Sequence, residues 1–238
     1  MRYIGYLCAD EGIEEMALAL IEGGVDCLEL GIPFSDPIAD GPVIQDAAAL
    51  ALQRGMTPLK VLSIVKKIRK ESRVPIILFT YLNPLLSAGE SYLEEARNAG
   101  VTGILVVDLP FEVAGEHIER CRAVGLDTIF VIAPSTSDER MKQICAACTG
   151  FIYYACRKGT TGVQSGLPGD LVGNMARIRK VSSLPVAVGF GIASAKDAGE
   201  VLKVADAFVV GSYFVKAVLG GVSPKELTQL ARNLILGS

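Results

Sequence analysis

The sequence predicts a single eight-stranded parallel βα barrel of the TIM type, an α/β fold in which residues 1–238 form one domain. Three observations predict it. Short apolar runs alternate with longer amphipathic ones from end to end, eight of each fit within 238 residues, and half of the residues are hydrophobic, enough for a large core.

The apolar runs place strands at 3–9, 26–32, 75–81, 103–109, 127–133, 151–156, 185–191 and 207–212. Helical patterns fall between them near 12–23, 58–72, 89–99, 112–124, 138–147, 170–181, 195–204 and 223–236, several closed by glycine as helix ends often are. Two connections are longer than a barrel requires, 33–57 and 157–169. Both follow the C-terminal ends of strands, where this architecture builds its chemistry, and long loops in compact domains are usually functional.

A net charge of −3 leaves no excess of cations to neutralise nucleic acid or anionic lipid. No charge-poor apolar run approaches the roughly 20 residues of a spanning helix, and the start has no basic segment leading into an apolar one, so a cytoplasmic location is expected. The six cysteines are scattered through apolar segments and read as reduced, buried thiols. Cys145 and Cys148 form a C-x-x-C, but no second cysteine pair or nearby histidine completes a zinc site, so no metal is expected. The single histidine, His117, falls in a polar helical stretch and reads as a surface residue, so acid–base work must come mainly from carboxylates, Tyr, Lys or Cys.

Alternation in the second strand turns Leu28, Leu30 and Ile32 to one face and Cys27, Glu29 and Gly31 to the other, the barrel interior. An inward carboxylate near a strand's C-terminal end loses hydration, which raises its pKa toward the range of general acid–base catalysis. The structural alternative is a Glu held in an internal salt bridge. The loop that follows, with Asp36, Asp40, Pro33, Pro37 and Pro42, is either turn chemistry or a stiffened arm holding a second carboxylate over the mouth. At the far side, the seventh and eighth strands end in glycine-rich turns containing Gly191 and Gly211–Ser212. Such turns, with a helix N-terminus, bind phosphate through backbone N–H groups, and Gly162 in the sixth loop is placed to close over that site. Ordinary turn formation is the alternative there too.

The segment LELGIPFSDPIADGP (28–42) closely resembles the signature of the tryptophan synthase α subunit family. Support comes, in order along the chain, from TPLK (57–60), TYLNPL (80–85), VVDLP (106–110), RKGTTG (157–162), GFGI (189–192) and VGS (210–212). The resemblance implies a lyase that splits indole-3-glycerol phosphate into indole and glyceraldehyde 3-phosphate, in tryptophan biosynthesis. It implies that Glu29 and Asp40 are the catalytic carboxylates, and that Gly162, Gly191, Gly211 and Ser212 belong to the phosphate turns. It implies that Tyr81, Tyr153, Thr161 and Phe190 surround the substrate, and that Asp36 lies in a loop facing a partner β subunit. The family assembly is αββα, with no cofactor on this chain and pyridoxal phosphate on the β subunit.

Three departures stand out. Family members usually carry an N-terminal helix before the first strand, so a more exposed barrel floor is expected here. Gly5 aligns where the family presents a phenylalanine near the indole pocket, with Tyr3 or Tyr6 as the residues able to compensate, and Ala193 stands where Ser is common. These raise an alternative, a weakly active α-like subunit serving mainly as allosteric activator of the β subunit. A different phosphosugar isomerase or epimerase barrel is the remaining one.

Overall fold

The computed structural model describes residues 1–156, 169–189 and 191–236. The strands are β1 (Tyr3–Cys8), β2 (Cys27–Gly31), β3 (Ile76–Thr80), β4 (Gly103–Val106), β5 (Asp127–Ile129), β6 (Val131–Ile132), β7 (Ile152–Ala155), β8 (Val186–Gly189) and β9 (Ala207–Val210). All neighbours pair in parallel, in the order β5-β4-β3-β2-β1-β9-β8-β7-β6. Only Phe130 separates β5 from β6. The fifth predicted strand is therefore one stave that pairs with β4 through its first half and with β7 through its second, and this closes the sheet into an eight-stave barrel. At the junction Phe130 turns outward, edge-on to Phe111, while its carbonyl still accepts from the Tyr153 N–H.

The helices are α1 (Ile13–Glu22), α2 (Pro42–Gln53), α3 (Pro58–Glu71), α4 (Leu82–Ala88), α5 (Tyr92–Ala99), α6 (Gly115–Val124), α7 (Asp138–Ala147), α8 (Leu171–Arg179), α9 (Ala195–Leu202), α10 (Ser212–Leu219) and α11 (Pro224–Leu236). Side-chain caps begin several of them: Thr57, Ser137 and Ser194 each accept a backbone N–H three residues on. Pro42, Pro58 and Pro224 occupy first-turn positions that need no N–H donor.

Three helices, α2, α4 and α10, correct the expected elements directly. Much of the predicted 33–57 connection is α2, which packs beside α10 over the end of β1. The eighth strand stops at Val210, and Gly211 caps α10 in place of extending the strand to 212. α4 is likewise a helix that was not foreseen, and the helix expected over 89–99 begins at Tyr92.

The core has two layers of different origin. Leu28, Leu30 and Ile32 join the outer layer between sheet and helices, while Ile4, Cys27, Ile77, Leu105, Phe151, Ala187 and Ala207 fill the barrel interior. Each outward Leu taken fully out of water contributes roughly 1.5–3 kcal/mol. The interior layer nearest the N-terminal ends, Ile4, Cys27, Phe151 and Ala207, is at most 2% exposed, so the floor is plugged by its own side chains and is not opened to solvent as expected. All six cysteines are free and buried.

Candidate active site

Glu29 is the third residue of β2, opposite Tyr6 of β1 on one side and Ile77 of β3 on the other. Its alternation with Leu28 and Leu30 carries it into the barrel, as expected, and it is 1% exposed. No salt bridge involving Glu29 occurs among the described residues, and its Oε1 is buried there without a hydrogen-bond partner. Burial alone pushes its carboxyl up to about 8. It is therefore protonated at neutral pH, a carboxylic acid with a proton to give.

Asp40 reaches the same end of the barrel by a different route. After β2 the chain doubles back through short turns, with Ile38 N–H donating to the Asp36 carbonyl and Asp40 N–H to the Pro37 carbonyl. Gly41 then caps α2, and the Gln45 side-chain amide donates to the Asp40 carbonyl, tying the loop to the helix. Asp40 is buried and receives the Tyr81 hydroxyl on Oδ2 at 2.8 Å. Burial raises its carboxyl to about 6 against the lowering effect of that hydrogen bond, so it is ionised at neutral pH. Two carboxyl groups in one mouth are thus held in opposite protonation states.

Aromatic rings line the wall. Burial raises the phenols of Tyr6 and of Tyr153 on β7, and the nearby Glu29 and Asp40 carboxyl groups, when ionised, raise both further. Tyr6 stands edge-on to Phe79 of β3, ring centroids 5.5 Å apart, across the strand between them. This is possible because Gly31 on that strand has no side chain; a Cβ there would run into the Tyr6 ring. Gly189 serves Tyr153 in the same way, a Cβ at 189 falling 2.5 Å from its hydroxyl oxygen.

Gly5 was assigned to this wall from the sequence, and the structure corrects that. A Cβ on Gly5 would meet Val25 and Leu20 on the helix side. Tyr3 also faces outward, stacked on Phe208 beneath α11. The inward residues of β1 are Ile4, Tyr6 and Cys8, so Tyr6 occupies the pocket wall and no gap exists there. Of the two residues expected to compensate, Tyr6 does so and Tyr3 does not; Phe79, Gly31 and Gly189 are the site residues that the sequence alone did not assign.

Across the mouth, Gly191 adopts a left-handed conformation (φ 79°) in the turn after β8, which glycine adopts without strain. Gly211 and the buried Ser212 head α10, whose first backbone N–H groups have no intrahelical acceptor. Gly211 also lies beside Tyr6, a Cβ at 211 falling 3.6 Å from the Tyr6 Cβ, so the glycine-rich turns and the aromatic wall adjoin. Asp36 is exposed on the outer part of its loop, bonded to the Ser35 hydroxyl. Thr161, Gly162 and Phe190 lie outside the described residues, as does most of the 157–169 connection.

His117 is half-buried and not a plain surface residue: it lies 3.6 Å from the Cys121 sulfur, and burial lowers its imidazole to about 4. It is on α6, away from the carboxylates. Among the described residues no group of three or more His, Cys, Asp or Glu is arranged to hold a metal ion. Nor is any helix among them long and apolar enough to cross a membrane.

The family model for the tryptophan synthase alpha chain matches residues 3–235. The tryptophan synthase alpha chain of Coxiella burnetii is 49% identical over 236 residues, covering 98% of this chain and 92% of that one. That of Chlamydia felis is 41% identical, with 98% and 93% covered. Among solved structures, the tryptophan synthase complex of Pyrococcus furiosus superposes with a TM-score of 0.90 at 39% identity, covering 100% of this chain and 98% of that one. The tryptophan synthase of Mycobacterium tuberculosis gives 0.91 at 33% identity, with 99% and 91% covered.

Proposed function

Because the chain belongs to the tryptophan synthase alpha chain family, we propose that it is the α subunit that cleaves indole-3-glycerol phosphate to indole and glyceraldehyde 3-phosphate, with Glu29 and Asp40 as its catalytic pair. The observation that carries this reading is a pair of buried carboxyl groups at one mouth, each with an oxygen that has no hydrogen-bond partner among the described residues, in surroundings that favour the acid form at Glu29 and the anion at Asp40.

The cleavage is a retro-aldol reaction, and indole leaves poorly as a carbanion. The Glu29 carboxylic acid delivers its proton to C3 of the ring, giving an indolenine-like cation. The carboxylate left behind takes the proton of the adjacent side-chain hydroxyl as the carbon–carbon bond breaks. The bonding pair returns to the ring, the aldehyde forms, and Glu29 ends protonated as it began. Asp40, ionised, accepts a hydrogen bond from the indole N–H and stabilises the charge that develops there. The N–H groups heading α10 and the turn at Gly191 hold the phosphate, so the scissile bond stays aligned between the two carboxyl groups. Tyr6, Phe79 and Tyr153 supply flat apolar surface for the ring.

The β subunit is the partner, and the αββα assembly with pyridoxal phosphate on that subunit is the arrangement we infer. Ile38 (76% exposed), Leu86 (62%) and Val113 (69%) sit in three successive connections, after β2, β3 and β4, on the carboxylate side of the barrel, which supports docking at that end. A role confined to activating the partner is not favoured, since the acid, the anion and the aromatic wall are all in place. The site lies in the cytoplasm on this reading.

Steady-state cleavage of indole-3-glycerol phosphate by the purified α–β complex tests the proposal. Turnover should exceed that of a Glu29→Gln complex by orders of magnitude; equal rates would sink the lyase reading.

A further inference from the structure

We propose that Tyr81 is a positioning residue for Asp40: its hydroxyl pins one carboxylate oxygen so that the other is presented to the barrel mouth. The proposal rests on the lyase reading above and deepens it.

The side chain of Asp turns easily about its last torsion, whose energy profile is broad. A carboxylate on a loop therefore needs a partner to hold one face toward a substrate. Tyr81 follows the last residue of β3 and is 2% exposed. Its single hydroxyl proton goes to Asp40 Oδ2 at 2.8 Å, and the Tyr81 hydroxyl oxygen accepts the Ala39 N–H at 3.0 Å. A phenol has one donor, so both ends of this bridge are committed to the loop that carries Asp40.

The ring itself is fixed. Phe34, from the start of that loop, packs on it with centroids 5.1 Å apart. Asp108, after β4, accepts the Leu82 N–H at 2.7 Å, which anchors the turn just beyond Tyr81. Against this, Asp40 Oδ1 is buried with no hydrogen-bond partner among the described residues. One oxygen is thus tied and its twin is left for the indole N–H, with strand β3 as the rigid support.

The test compares Tyr81→Phe and 3-fluorotyrosine at position 81 with the unsubstituted chain. The fluorinated residue keeps the shape and makes the hydroxyl a stronger donor, so it decides the matter even where the Phe variant folds poorly. Two readouts are taken: the acid limb of kcat/KM against pH in the α–β complex, and the titration of carboxyl-labelled Asp40 by 13C NMR in the free chain. Removing the donor should move both to higher pH and lower kcat/KM about tenfold or more, the effect of losing a hydrogen bond to a charged group. The fluorinated residue should move both to lower pH. A merely structural tyrosine would lower the melting temperature and leave the Asp40 titration where it was, and that result overturns the proposal. The NMR titration needs no turnover, so failure of the lyase reading and failure of this one are told apart.

Discussion

The ring of Tyr6 lies over the backbone of Gly31, in the space where any other residue at 31 would place its Cβ. That overlap brings a β1 tyrosine into edge contact with Phe79 on β3 and builds the aromatic wall beside Glu29.

Gly31→Ala should therefore damage the site from within the core. The added methyl meets not only the Tyr6 hydroxyl but its ring carbons, at 2.7 and 2.9 Å, so the ring must swing aside. Overpacking of this kind costs about 1–3 kcal/mol. We expect a lower melting temperature and a raised KM, and we expect Tyr6→Phe to restore neither, because the ring carbons still collide. Wild-type stability and KM in Gly31→Ala would show that the ring has another place to go.

The two carboxyl groups predict a bell-shaped pH dependence. Asp40 must be ionised and Glu29 protonated, so kcat/KM should rise through about pH 6 and fall through about pH 8. Asp40→Asn should lose the acid limb along with most of its rate. Activity that keeps climbing well above pH 8 would remove Glu29 from the role of acid.

Glu29 should also cost stability where it ionises. Its folded value of about 8 stands above its ordinary value of 4.5, so between those values the folded chain binds more protons than the unfolded one. Stability contributed by this group is present at low pH and is lost as pH rises through that window, by up to roughly 1.4 kcal/mol per pH unit. Glu29→Gln cannot ionise, so it should match the native chain near pH 4.5 and exceed it at pH 8 while being inactive. Denaturant midpoints for the two chains that stay parallel across this range would contradict the assignment.

The same strand chemistry explains what could be read from the sequence. Glu29 was legible because it is the one charge in the interior of its apolar strand, and alternation around it fixes which face is inward. β1 has no such marker: Tyr3, Ile4, Tyr6 and Leu7 are apolar on both faces, as strands buried on both sides are, so its phase could not be set and Gly5 was assigned to the wrong wall. The helix α2 was hidden because its DAAALAL stretch lacks a sustained polar face. The break at Phe130 is a closure requirement of the barrel, a property of the sheet as a whole. Gly31 and Gly189 looked like turn or strand-end glycines, and their use becomes visible only when Tyr6 and Tyr153 fold over them.

The two phosphate turns should separate binding from folding. A Cβ at Gly211 would meet Tyr6 at no closer than 3.6 Å, an ordinary van der Waals contact. Gly211→Ala should thus fold and melt like the native chain. Its methyl stands beside the N–H groups of α10 that the phosphate must approach, so KM for indole-3-glycerol phosphate should rise tenfold or more. Gly191 differs, because its φ of 79° is a conformation side chains adopt at a cost. Gly191→Ala should lose about 1 kcal/mol of stability as well as phosphate affinity. Thermal shifts with and without inorganic phosphate distinguish the two: the native chain should be stabilised by the anion, and Gly211→Ala should have the native melting temperature without it and gain little from it. A Gly211→Ala chain that phosphate stabilises as fully as the native one would place the anion elsewhere than at the head of α10.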